Sequence, residues 1–102
     1  MYKDVEWVQF SLLRPYVYDV FKGMGVPEGD AEVCTDVLLD ADLKGLDTHG
    51  VNRLKPVYYD RVRKGLQSPV TRLGVVREGP TTAVVDGNNG MGMVVAKKSM
   101  DL

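Results

Sequence analysis

Three apolar patterns of helical period, each closed by glycine, constrain this chain more than any other feature. They end at Gly23 and Gly25, at Gly45 and at Gly65, and glycine just past the last apolar position is a common helix stop. The pattern predicts three helices before residue 66. In the first, Ser11 stands as an N-cap, and Leu12, Leu13, Tyr16, Val17, Val20 and Phe21 share one face up to about Lys22, with Pro15 near the first turn. In the second, Pro27 suits an opening turn, and Glu28, Asp30 and Glu32 favour the positive end of the helix dipole. Ala31, Cys34, Leu38 and Ala41 then form an apolar stripe widened by Val33, Val37 and Leu39. Leu46-Asp47-Thr48-His49-Gly50 is a short polar connection. A third helix follows to Lys64, with Pro56 opening its regular part or kinking it.

Beyond the Ser68-Pro69 break the period becomes that of strands. Residues 72–77 and 81–85 read as one hairpin around Glu78-Gly79-Pro80. Gly87-Asn88-Asn89-Gly90 is a loop with two glycines available for positive φ, and from Gly92 through Val94, Val95, Ala96 and Met100 a fourth helix begins. It meets no stop signal before Leu102, so more sequence is expected to follow. The fold class expected is α/β, mixed α+β in this segment: three amino-terminal helices over 11–65, then a hairpin and the start of a fourth helix over 71–102.

A chain of 102 residues that is 44% hydrophobic is large enough to own a core, burying roughly two-thirds of its unfolded surface. Thirteen Lys and Arg against fourteen Asp and Glu leave a net charge of −1, which predicts no sequence-independent grip on nucleic acid or anionic membrane. The single cysteine, Cys34, lies in an apolar helical pattern and reads as a small buried hydrophobe; one thiol makes neither an intramolecular disulfide nor a cysteine metal site. Met1 to Phe10 carries Asp4 and Glu6 and lacks the basic and apolar regions of a leader, and no stretch approaches 18 apolar residues. A soluble cytoplasmic protein is the expectation.

Chemistry concentrates around the only histidine. His49 precedes Arg53 by four residues, a spacing that shares one helix face if the third helix begins near Thr48. A guanidinium can take a carboxylate in a two-bonded fork, an imidazole can exchange a proton with the adjacent carbonyl or hydroxyl, and Thr48 adds a hydroxyl. The same residues also suit a plain helix-to-helix turn. The loop Gly87-Asn88-Asn89-Gly90-Met91-Gly92 follows a strand and opens a helix, where phosphates are often held. Its glycine order departs from the dinucleotide fingerprint, which favours a tight structural turn. Three helices and a hairpin also match the order of a winged helix-turn-helix DNA reader, with Arg53, Lys55, Arg61, Arg63 and Lys64 on the recognition helix. The acidic second helix, with Glu32, Asp36, Asp40 and Asp42, weighs against it. A non-catalytic interaction domain is a third possibility.

Ala41-Asp42-Leu43-Lys44-Gly45-Leu46-Asp47-Thr48-His49-Gly50-Val51-Asn52-Arg53-Leu54 resembles the segment ADLRGxDSHGVxRL of the malate/L-lactate dehydrogenase family, the non-Rossmann group that includes ureidoglycolate and sulfolactate dehydrogenases. The resemblance runs back through Gly25-Val26-Pro27 and forward through Val84-Val85-Asp86-Gly87 and Asn89-Gly90-Met91-Gly92 to Met100, nearly all of the chain from Leu12 onward. It implies an enzyme that uses NAD or NADP to interconvert a small 2-hydroxy acid and its 2-oxo acid, usually as a homodimer. It further implies that His49 and Thr48 lie where substrate and nicotinamide meet and that Arg53 holds the substrate carboxylate. The family's proton-transferring histidine and most cofactor contacts would fall beyond Leu102, so the 102 residues alone are expected to be inactive. Two positions depart from the family pattern. Thr48 stands where Ser is more usual, adding a stiff methyl, and Met93 stands where Gln is common, removing a polar contact.

Overall fold

The computed structural model describes residues 7–102. Asp4 and Glu6, on which the reading of the amino terminus leaned, lie outside the described residues. Helices α1 (Phe10–Gly23) and α2 (Glu28–Leu43) pack against each other, followed by an irregular helical run, a hairpin of β1 (Gly74–Glu78) and β2 (Ala83–Asp86), and a last helix. The three predicted stops hold: Gly25, Gly45 and Gly65 take φ of +98°, +81° and +74°, the left-handed region that a Cβ disfavours.

Helix α1 starts one residue before the expected cap. Gln9 occupies the N-cap without a side-chain bond, so Ser11 lies inside the first turn and caps nothing. Its inner face is also narrower than the six-residue stripe suggests. Val17 and Phe21 are fully buried, whereas Leu12 and Tyr16 are exposed, because α2 covers only one side of α1. Those two side chains meet Ala31, Cys34, Leu38 and Leu39 of α2 in a core completed by Val26, Leu54, Met91 and Val94. Each large apolar side chain buried there contributes about 1.5–3 kcal/mol. Arg14 fastens the outer edge of the pair by donating from Nε and Nη2 to Asp36 Oδ1 at 3.1 and 2.8 Å.

The third helix differs most from expectation. Residues 47–49 and 51–53 form two 3₁₀ turns, Leu54–Tyr59 forms a wide π turn, and regular α-helix, α3, is confined to Asp60–Arg63. Pro56 explains the middle part: it has no N–H to give to the turn before it, and its ring crowds the carbonyl four residues back. A π turn widens the backbone at that point, and at its exit Asp60 N–H reaches the Lys55 carbonyl five residues back.

The hairpin is antiparallel, pairing Gly74 with Asp86 and Glu78 with Ala83, and a bulge between Val75 and Arg77 leaves Val76 as the extra residue. β1 begins two residues later than predicted because Thr71 and Arg72 are bonded to the next loop rather than to a strand. The Thr71 hydroxyl accepts Met91 N–H at 3.0 Å, and the Arg72 carbonyl accepts the Asn88 amide at 2.6 Å. Helix α4 (Gly92–Met100) seats Met91 and Val94 against the core and closes two residues before Leu102, with Asp101 N–H on the Lys97 carbonyl.

Candidate functional site

The candidate residues occupy the irregular run between α2 and α3, and its geometry ties them together differently from one helix face. Gly50, with φ −95° and ψ −145°, separates the two 3₁₀ turns, so His49 and Arg53 do not share a continuous helix. Thr48 joins them instead. Its hydroxyl lies 3.0 Å from His49 Nδ1, and its carbonyl accepts Arg53 Nε at 2.7 Å. The first bond engages one ring nitrogen of His49 and leaves Nε2 for another partner. The second fixes the guanidinium plane, while among the described residues Nη1 and Nη2 of Arg53 make no hydrogen bond. Thr48 and His49 are exposed and Arg53 is half-buried.

Two further residues set this geometry: Gly50, whose missing side chain already suggests a close backbone approach in the sequence, and Asp42, which did not stand out there. Asp42, in the last turn of α2, accepts Val51 N–H on Oδ2 at 2.8 Å. Gly50 is buried directly beneath the same carboxylate, and a Cβ there would overlap its atoms. Asn52 adds a weaker tie, donating to the Asp47 carbonyl at 3.3 Å. The signal that leads to Asp42 is the pairing of an acid at a helix carboxyl end with a glycine eight residues on. It becomes legible only once the turn between them is known.

The run is anchored to the core from its far side. Leu54 is buried, and the Tyr58 ring packs on Phe21 with centroids 6.1 Å apart and planes tilted by 58°. Burial pushes the Tyr58 phenol above its ordinary pKa, and the Arg53 guanidinium pulls the other way. Tyr58 therefore remains a neutral wall beside Arg53. Cys34 is fully buried, and its thiol is pushed up to about 12 by burial and by Asp30. It behaves as the small hydrophobe its sequence setting predicts.

The glycine-rich loop is occupied with its own structure. Asn88 and Asn89 take the left-handed conformations, φ 50° and 60°, where the flanking glycines were expected to do so. Asn89 donates to the Leu66 carbonyl at 2.7 Å, Gln67 donates to the Gly90 carbonyl at 2.9 Å, and Ser68 N–H reaches the Asn89 carbonyl at 2.8 Å. Gly90 is required for contact, since a Cβ would meet Thr71 Cα and Oγ1 within 3.0 Å. These bonds tie the loop to its own neighbours, as expected of a tight structural turn. Met93, the second departure from the family pattern, packs against the core. A shallow cleft lies beside this loop, lined by Ser68, Val70, Arg72 and Asn88, away from Thr48, His49 and Arg53. Among the described residues no group of three or more His, Cys, Asp or Glu could hold a metal ion, and no helix is long and apolar enough to cross a membrane.

Comparison with known proteins gives this geometry its context. The chain is 46% identical over 89 residues to the L-sulfolactate dehydrogenase of Methanocaldococcus jannaschii, covering 87% of this chain and 26% of that one. It is 42% identical over 90 residues to the malate dehydrogenase of Pyrococcus horikoshii, covering 88% of this chain and 25% of that one. Among solved structures, the malate dehydrogenase from Entamoeba histolytica superposes with a TM-score of 0.89 at 40% identity, covering 94% of this chain and 27% of the other. The chain thus spans about a quarter of the length of the relatives it matches. A family model described as malate/L-lactate dehydrogenase matches residues 8–102, and the chain belongs to that family.

Proposed function

We propose that this chain forms the amino-terminal part of a cytoplasmic, homodimeric oxidoreductase that moves a hydride between NAD or NADP and a small 2-hydroxy or 2-oxo acid such as malate or lactate. The observation that carries the reading is Arg53: its Nε is held by the Thr48 carbonyl at 2.7 Å, which leaves the terminal pair of nitrogens as a preset fork for a carboxylate. The polar donors of the 48–53 run suit a small substrate acid and one edge of a nicotinamide, with His49 as the residue that would touch the latter. When bound, the nicotinamide supplies or accepts the hydride. Arg53 binds the carboxylate, and Thr48 accepts from His49 Nδ1–H and donates its own hydroxyl toward the neighbouring substrate oxygen. His49 presents Nε2 to the reacting end, where its lone pair can accept a hydrogen bond from the 2-hydroxyl. Large exposed apolar side chains on α1 and the hairpin, among them Leu12, Tyr16, Val76 and Val84, support burial against further protein or a second copy.

The test is an assay of the whole protein and of residues 1–102 with NADH or NADPH and oxaloacetate or pyruvate. Turnover by the whole protein and none by the 102 residues is expected. Substantial turnover by residues 1–102 would overturn the division of the site, and an inactive whole protein would favour an interaction domain. Tight, salt-sensitive retention of duplex DNA would favour a DNA reader, although the broken run at 47–59 offers no straight recognition helix.

A further inference from the structure

Helix α2 ends on two acids, Asp40 and Asp42, with no basic residue in its last turn, and the negative end of a helix dipole disfavours acids there. Asp40 is answered by Lys44 at 2.9 Å. Asp42 pairs with no lysine or arginine among the described residues and instead turns its half-buried carboxylate onto the following segment, where Oδ2 accepts Val51 N–H at 2.8 Å. The stability of α2 does not explain an acid at this position. The absent side chain at Gly50 does, because the carboxylate occupies the space that a Cβ would need. The acid and the glycine form one joint, and the peptide they fix lies between His49 and Arg53.

We propose that Asp42 is a positioning residue: through the Gly50–Val51 peptide it sets the direction of the Arg53 terminal nitrogens relative to His49, and so selects a short acid whose carboxylate lies next to the reacting carbon. This rests on the reading of Arg53 as the carboxylate holder. A charged acceptor binds a backbone N–H more strongly than a neutral one. Partners that orient metal ligands change affinity or activity by about 10- to 100-fold when removed, and the same scale is expected for a residue that orients a carboxylate-binding side chain. A structural role alone would lower stability without separating substrate from cofactor.

The experiment compares Asp42→Ala, Asp42→Asn, Arg53→Lys and the Asp42→Ala/Arg53→Lys pair in the full-length enzyme. Asp42→Ala should raise the KM for the 2-oxo acid by about 10- to 100-fold and leave that for the cofactor within about two-fold. Asp42→Asn, which keeps an oxygen able to accept Val51 N–H, should recover most of the loss. The double variant should be little worse than Arg53→Lys, because both changes act through one guanidinium. Multiplying effects in the double variant, or equal rises in both KM values, would overturn the proposal, as would near-normal Asp42→Ala kinetics beside a crippled Arg53→Lys. Near-normal Arg53→Lys would instead overturn the site reading and take this proposal with it. Should Asp42→Ala fail to fold, the Val51 amide of the wild-type enzyme carries the test: its exchange with solvent should be slow and should slow further with oxamate bound, whereas fast exchange insensitive to oxamate would contradict the joint.

Discussion

Two polar, glycine-bearing loops of this chain look alike in sequence and differ in what their side chains do. In the 87–91 loop, Asn88 and Asn89, with Gln67 and Thr71 facing them, all bind backbone groups, so the loop staples the 66–72 segment to the start of α4. In the 47–53 run the backbone is held from outside, by Asp42, and from within, by the Thr48 carbonyl bond to Arg53. Among the described residues, His49 Nε2 and the Arg53 terminal nitrogens have no hydrogen-bond partner. A loop whose side-chain amides are spent on backbone carbonyls stabilises the fold, even though Gln67 Oε1 stays buried without a partner, whereas a braced run that keeps free side-chain donors suits the proposed ligand site.

The largest expected break in that contrast is Gly50→Ala, which drives a methyl group into the Asp42 carboxylate. It should cost about 3 kcal/mol of stability and lower kcat/KM of the whole enzyme by more than about 100-fold, since the displaced turn carries both donors. Gly45→Ala is the control. Gly45 has φ +81° and open space around its Cβ position, so only backbone strain of about 1–2 kcal/mol is expected, with kinetics intact. Equal kinetic effects at the two glycines, read by urea melts and steady-state rates, would dissolve the distinction between brace and stop.

A smaller effect is expected at the stapled loop. Asn89→Ala removes the Leu66 brace and strains a left-handed position, for a loss of about 1–2 kcal/mol; denaturant midpoints should fall while both KM values stay put. A change in either KM would mean that this loop also serves the site. Smaller again is the pH effect of Cys34. Its thiol is raised from 9.0 to about 12 in the folded state, so the folded form holds its proton more tightly than the unfolded form. The associated stability is fully present below about pH 9 and drains away between pH 9 and about 12. Melting temperatures of wild type and Cys34→Ala should therefore converge over that window, and a native thiol that reacts with a disulfide reagent at pH 8 as fast as an unfolded one would contradict its burial. Thr48→Ser, which keeps the hydroxyl and the carbonyl, should change kcat/KM by no more than about three-fold.

Much of the fold was legible because it rests on local rules. Gly25, Gly45 and Gly65 mark the stops, and the hairpin lies where strand residues flank Glu78-Gly79-Pro80. In the α2 stripe Ala31, Cys34, Leu38 and Leu39 are buried as their period demands, while Val37 is exposed and Val33 and Ala41 are half-buried. The misses have physical causes that reach across the chain. Ser11 caps nothing because helix α1 starts at Phe10. The left-handed residues of the 87–90 loop are asparagines because their amides find carbonyls 16 and 23 residues away. Pro56 is absorbed by a π turn, an outcome that its missing N–H permits and no sequence rule selects. At the site, Thr48, His49 and Arg53 were identified through chemistry and resemblance. Their connection through the Thr48 carbonyl was hidden, and so was the Asp42 joint, because an acid late in a helix reads as part of a solvated face until its partner is seen.

The central claim, that Arg53 is an oriented carboxylate fork, is tested most directly by steady-state kinetics of Arg53→Lys in the whole enzyme. Lysine keeps the charge but loses both the planar pair of donors and the Nε bond to Thr48. The KM for the 2-oxo acid should rise and kcat/KM should fall by about 2–4 kcal/mol of transition-state stabilisation, with the cofactor KM unchanged. Both constants within about two-fold of wild type would make Arg53 an ordinary solvated residue and contradict the site.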